Sequence, residues 1–210
     1  MKLVDPDGME IDDYFSIDGK YLGSDNATTN KVRIIDETVW NQYSDGKGNI
    51  DYLIGWKNST LHSEADMDKN ASLKIYQFYW GKTKSKSSDV EICKEDRLGR
   101  TGRHKMESHT EIKKNKITQK IFVDVDVMSE QKYSDNYNDI INCFEHEARH
   151  LYQHINRHAV MPGEEEYDAL RHQVNTPTFK TCSPSFQKEI RKQLNINTPN
   201  YIKRICPDLF

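Results

Sequence analysis

No apolar run in this 210-residue chain approaches the roughly 20 residues that a membrane-spanning helix needs. The N-terminus has no signal-peptide h-region, so the chain reads as intracellular or as a fragment of something longer. A dominant charge is lacking too. Lys and Arg number 30 against 33 Asp and Glu, a net charge of -3, which gives no global argument for nucleic acid or an anionic membrane. Cysteine is sparse. Cys93, Cys143, Cys182 and Cys206 form no C-x-x-C pair, which argues against a cysteine-only zinc site. Disulfides outside a reducing compartment and free buried thiols both stay open. Hydrophobic residues are only 35% and charged residues 30%, the composition of a polar, loop-rich soluble protein. The length suits one large domain, or a domain plus an appendage.

What is present divides into a lead-in over residues 1–36 and a main domain over residues 37–210. In the lead-in, Asp18-Gly19 between Tyr14–Ile17 and Lys20–Leu22 predicts a hairpin, and Lys31–Ile35 a short strand. Ser63 is placed to cap a helix from Glu64 through Tyr79. The aromatic cluster Tyr76, Phe78, Tyr79 and Trp80 is read as core rather than as a ligand groove. Residues 94–120 are locally basic, but Glu95, Asp96, Glu107 and Glu111 interleave and no aromatics alternate with the bases. A solvated loop or edge strand is therefore expected there, and nucleic acid is argued against. Ile117–Met128 alternates apolar and polar residues and predicts a strand.

The stretch Phe144-Glu145-His146-Glu147-Ala148-Arg149-His150-Leu151 contains His-Glu-x-x-His. Ser134 or Asp135 is a plausible cap for a helix running to about Arg157. Tyr137, Ile140, Ile141, Phe144, Ala148, Leu151 and Ile155 form its apolar stripe, and His146 and His150 point nearly opposite, one turn apart. Two imidazoles so placed can hold one metal ion, with Glu147 beside them to take a proton from water. Met161-Pro162-Gly163 breaks the helix, and Glu164–Gln173 reads as a second helix with an acidic first turn. Ser183-Pro184 and Thr198-Pro199 each open a short C-terminal helix.

His-Glu-x-x-His, a turn, and then a helix bearing Glu-x-x-Ala (Glu166-Tyr167-Asp168-Ala169) resembles the gluzincin zinc metallopeptidases, the thermolysin-like and related families. The resemblance spans about residues 117–175. It implies an α+β, zincin-like fold: a small mixed sheet with an upstream edge strand packed on the long motif helix, a following Glu-bearing helix and short C-terminal helices. It implies Zn2+ held by His146, His150 and Glu166, with Glu165, Glu164, His154 and His158 as the other third-ligand candidates. Glu147 is then general base and acid in peptide-bond hydrolysis, and His172, Tyr167 or Tyr152 stabilises the tetrahedral intermediate. The metzincin loop with a third His is missing. One departure concerns Leu170, which stands where these families often carry an Asp that holds a zinc-bound His; Asp168 would need a different geometry to substitute.

Val4-Asp5-Pro6-Asp7-Gly8-Met9, with Asp18–Gly23 after it, resembles the end of the core of Rhs/YD-repeat polymorphic toxins. That likeness implies delivery as the C-terminal part of a larger protein, a protein or peptide substrate in a competing cell, and a cognate immunity protein. Without it, a cytoplasmic enzyme is expected. The rival readings are a zinc-stabilised binding module, an inactive peptidase fold, and a toxin acting on nucleic acid.

Overall fold

Asp18-Gly19 closes the first hairpin. Gly19 sits at φ +80°, and its N–H donates to Ser16 O at 2.9 Å. A Cβ there would lie 2.1 Å from the Ala71 carbonyl oxygen, so the turn both needs a left-handed residue and has no room for a side chain. The structure, a computed structural model, describes residues 11–27, 29–83, 89–95, 106–113, 116–156 and 164–200. Within them the chain is mixed α+β, with seven α-helices and two small mixed sheets.

The hairpin strands β1 (Asp13–Phe15) and β2 (Tyr21–Ser24) join β3 (Val32–Ile35) and β4 (Ser59–Leu61) in the order β2-β1-β3-β4. Two short helices, α1 (Glu37–Tyr43) and α2 (Tyr52–Lys57), lie between β3 and β4, capped by Asp36 and Asp51. Tyr14, Ile35, Trp40 and Ile50 form a satellite core there. Phe15, Val32 and Ile34 face a larger core, shared with the helix α3 (Lys69–Lys82). Asp68 caps α3, not Ser63, whose amide and hydroxyl both donate to Asp135 at 2.7 Å. The helix therefore starts five residues later than expected. Tyr76, Tyr79 and Trp80 are buried in its core face.

The second sheet has the order β5-β7-β6, from β5 (Val90–Lys94), β6 (Met106–Lys113) and β7 (Lys116–Val123). Two expectations change here. The strand ends at Val123, because Asp124 accepts from the Val127 amide at 3.0 Å and caps a helix, α4 (Val125–Glu130). Val125, Val127 and Met128 reach the core from that helix instead. The strand upstream of the motif is also central rather than at an edge: β7 pairs in parallel with β5 and antiparallel with β6, which are the two edge strands. Of the basic stretch, residues 96–105 and 114–115 lie outside the described residues, as do residues 4–9, 157–163 and 201–210.

The motif helix α5 (Tyr137–Ile155) is capped by Asn136, whose side chain accepts from the Asn138 and Asp139 amides. Ser134 and Asp135 belong to the preceding 3-10 turn, since the Asp135 carboxylate is already engaged by Ser63. A bridge between Lys31 and Asn136, and the Tyr137 amide donating to Asn30 O at 3.1 Å, tie the start of α5 to the first sheet. Ile140, Phe144 and Leu151 are buried in one core with Ile75, Ile121 and Val123; Ile155, in the last turn, is exposed. Helices α6 (Glu165–Val174) and α7 (Pro184–Asn197) close the layer, with Leu170, Phe186 and Ile190 in the same core.

Asp139 in the first turn of α5 accepts from the Ser183 amide at 2.8 Å and its hydroxyl at 2.6 Å, pinning the start of α7. Burial nevertheless pushes this carboxyl up from its ordinary 3.8 to about 6, the hydrogen bonds only moderating the rise. A raised carboxyl makes the fold hold its proton more firmly than the unfolded chain does. Its contribution is therefore full below pH 3.8 and is lost as pH rises through about 6. The expected loss is about 3 kcal/mol. Denaturant midpoints measured across this window should fall more steeply with pH in the wild type than in Asp139→Asn. Parallel pH profiles for the two proteins would contradict the assignment.

Candidate metal centre

The metal-ligating geometry starts from how α5 is rolled against the core. Burying Phe144, Ala148 and Leu151 leaves positions 146 and 150 on the side that faces a cleft of about 790 Å³. His146 and His150 are mostly enclosed, with side chains 14% and 17% exposed, and Glu147 between them is buried and lines the same cleft. The cleft walls come from Met106, Glu107 and Ser108 of β6, from Tyr133, and from Glu189, Ile190 and Gln193 of α7.

Helix α6 delivers the third group. Glu166 Oε2 lies 3.2 Å from His150 Nε2 and 3.6 Å from His146 Nε2, and the two imidazole nitrogens are 3.1 Å apart. Zinc bonds of roughly 2.0–2.1 Å at tetrahedral angles put ligand atoms about 3.3 Å from one another. The triangle matches that edge length, and two imidazoles with one carboxylate are a donor set suited to a catalytic zinc. Among the described residues this is the one group of three or more His, Cys, Asp or Glu whose ligand atoms converge in this way. His146 Nδ1 is enclosed with no hydrogen-bond partner, so the polar chemistry of that ring is concentrated at Nε2, inside the triangle. The two rings meet edge to face, centroids 4.7 Å apart.

The electrostatics follow from this crowding. Burial alone would raise the Glu166 carboxyl, but hydrogen bonds and charge from His146 and His150 outweigh it and hold it well below the usual carboxylate range. Burial alone would lower His150, yet Glu166 and the nearby Glu147 charge raise it above its usual value.

The other candidates are placed elsewhere. Glu164 precedes α6 as its cap residue, and the Glu165 backbone oxygen accepts from Gln153 Nε2 at 2.9 Å. His154 lines the cleft outside the triangle, and burial is the largest influence lowering its pKa. His158 lies outside the described residues. His172 is not brought to the cleft: its Nε2 sits 3.7 Å from the buried Glu145 carboxylate. Six residues beyond Glu166, it is turned about 120° away around the helix. Tyr152 is exposed and stacks on the Arg149 guanidinium, 4.8 Å from its ring centroid.

Leu170, at the position of the missing Asp, is buried in the core. Asp168 does not replace it directly; its carboxylate is held by Arg149 and by Gln153 Nε2 at 2.9 Å. Gln153, which the motif did not single out, meets His150 Nδ1 through its Oε1 at 2.8 Å. Its spacing of three from His150 was the available signal. Tyr133 and the β6 wall carried no signal at all, because they precede the motif and reach it only through the fold.

Comparison with protein-family models, curated proteins and solved structures finds no match. The site therefore rests on its own geometry.

If Glu166 is the third ligand, Glu166→Ala should weaken zinc binding by more than the roughly 10–100-fold that loss of an outer partner costs. Glu165→Ala and Glu164→Ala should leave it close to wild type. Competition titration against a chromophoric chelator reads all three, and the opposite ranking would reassign the ligand.

Proposed function

We propose that the protein is a zinc-dependent metallopeptidase, with His146, His150 and Glu166 as the metal-binding residues and Glu147 as general base and acid. The observation that carries this reading is the convergence of Nε2, Nε2 and Oε2 at tetrahedral edge distances beside a buried glutamate on a cleft wall. A zinc ion held there supplies Lewis acidity, acidifying water and polarising a carbonyl.

The chain's own residues do the rest. Glu147 is buried one residue from a ligand, so it accepts the proton of the attacking water and hands it to the departing amine. Met106, Tyr133, Leu170 and Ile190 supply the apolar part of a cleft lining that is otherwise polar. β6 is an edge strand whose Met106–Ser108 portion borders the cleft, which suits an extended peptide offering backbone hydrogen bonds. Among the described residues that line the cleft there is no Lys or Arg, which disfavours a nucleic-acid phosphate backbone as substrate.

The toxin reading, with its immunity protein and delivery within a longer protein, is a further proposal. It rests on the residue 4–9 stretch, outside the described residues, and on the hairpin that follows. No helix among the described residues is long and apolar enough to cross a membrane.

The test is metal content together with hydrolysis of an unfolded protein substrate. Wild type should carry about one zinc per chain, the stoichiometry of a single two-His, one-carboxylate site. Glu147→Gln should keep the zinc and lose at least the roughly 10²–10⁴-fold that a general base contributes. Wild type without zinc at neutral pH would end the reading. Zinc present, no turnover and unfolding on chelation would favour a non-catalytic, metal-stabilised module. Cytoplasmic expression of wild type that arrests growth, while Glu147→Gln does not, would support the toxin role.

A further inference from the structure

The amide of Gln153 is buried at 5% exposure between α5 and α6, and each of its ends has an assigned partner. Its Nε2 lies 2.9 Å from the Glu165 backbone oxygen and 2.9 Å from Asp168 Oδ2. Neither atom can donate: one is a carbonyl, and the other belongs to a carboxylate engaged by Arg149 through two contacts, Nε–Oδ2 and Nη2–Oδ1 at 3.1 Å. The amide must therefore point its NH2 group at α6, which leaves Oε1 facing His150 Nδ1 at 2.8 Å. An oxygen there can only accept. His150 must carry a proton on Nδ1, and its neutral form then presents a lone pair at Nε2, the nitrogen 3.1–3.2 Å from His146 and Glu166.

The same amide fixes the other side of the triangle. Its bond to the Glu165 carbonyl holds the residue next to Glu166, and Asp168, two residues beyond, is clamped to Arg149. Arg149 and Gln153 are four apart on α5, and Glu165 and Asp168 three apart on α6, so each pair lies on one helix face. The Arg149 guanidinium is held in turn by stacking on Tyr152.

We propose that Gln153, anchored by Asp168 and Arg149, is the positioning residue of the metal centre, setting both the tautomer of His150 and the placement of Glu166. This rests on the reading of the site as a zinc site. For His150 the outer hydrogen bond comes from α5 itself rather than from the Leu170 position on α6.

The experiment compares full-length wild type, Gln153→Met and Asp168→Ala. Gln153→Met fills the same volume and removes both ends of the relay; Asp168→Ala leaves Gln153 and every ligand in place. Zinc affinity is read by chelator competition, and metal geometry by the visible absorption of the Co2+-substituted protein. Circular dichroism of the metal-free proteins confirms folding. Gln153→Met should bind zinc about 10–100-fold more weakly, the usual cost of losing an outer partner. Its Co2+ spectrum should depart from the tetrahedral form of wild type, a change that a purely structural role would not cause. Asp168→Ala should shift both readouts in the same direction by less. A folded Gln153→Met with wild-type affinity and spectrum overturns the proposal while leaving the zinc site standing. If that variant does not fold, wild-type behaviour of Asp168→Ala overturns it instead. Wild type that binds neither metal sinks the site reading itself, a separate result.

Discussion

The roll of α5 about its own axis is the constraint on which the site depends. One face must enter the core, where Ile140, Phe144 and Leu151 meet α3 and β7, and that requirement leaves His146 and His150 a single direction to face. Burial of three such side chains stabilises the orientation by about 1.5–3 kcal/mol each, more than any exposed hydrogen bond could contribute against it. The polar side of the helix is consequently presented without being stabilised for its own sake. Two elements then complete it: α6, by bringing Glu166 to within 3.6 Å of both rings, and β6, by walling the opposite side.

Much of this was legible in the residues because it is local and periodic. The spacing of four between His146 and His150, the stripe from Ile140 to Leu151, and the Asp18-Gly19 hairpin each depend on neighbours within one helical turn or one hairpin. The approach of Glu166 also followed from sequence order, since a break and a second helix leave few ways back to the first. What failed was decided by competition between similar local signals. Val123-Asp124-Val125-Asp126-Val127 satisfies a strand's alternation perfectly well, but Asp124 can also cap a helix, and the core accepts Val125 and Val127 from either. Asp135 looked like a cap and is instead taken by Ser63, seventy-two residues away in sequence. His172 has the right residue type on the right helix, but the wrong angle. Gln153 offered only its spacing of three from His150, because its other partners, Glu165 and Asp168, are tertiary.

The outer support of the candidate site comes from Gln153 and not from the position that Leu170 occupies. An imidazole that binds metal through one nitrogen is usually oriented by a partner at the other, and the chemistry does not specify which helix supplies that partner. Here an amide does so from the same helix as the imidazole, and the carboxylate that resembles the missing one, Asp168, acts one bond further out. Among the described residues His146 has no such partner at Nδ1 and meets the His150 ring edge to face. The two histidines of one motif are thus supported unequally.

The tie between Ser63 and Asp135, with the bridge from Lys31 to Asn136, has a consequence for how the molecule assembles. The segment from β6 to α6 holds His146, His150 and Glu166, yet the cap turn of its central helix is fastened to chain that precedes it by many tens of residues. Joining points so far apart carries a loop-closure cost that local hairpins and helices do not. The β6–β7 hairpin and the turns of α5 can form on their own contacts; the cleft has its final shape only once the first sheet has docked. Excising the β6–α6 segment would therefore remove the surface against which its helix is set, and the chain from β1 to Ser63 acts at a distance as part of the candidate site's foundation.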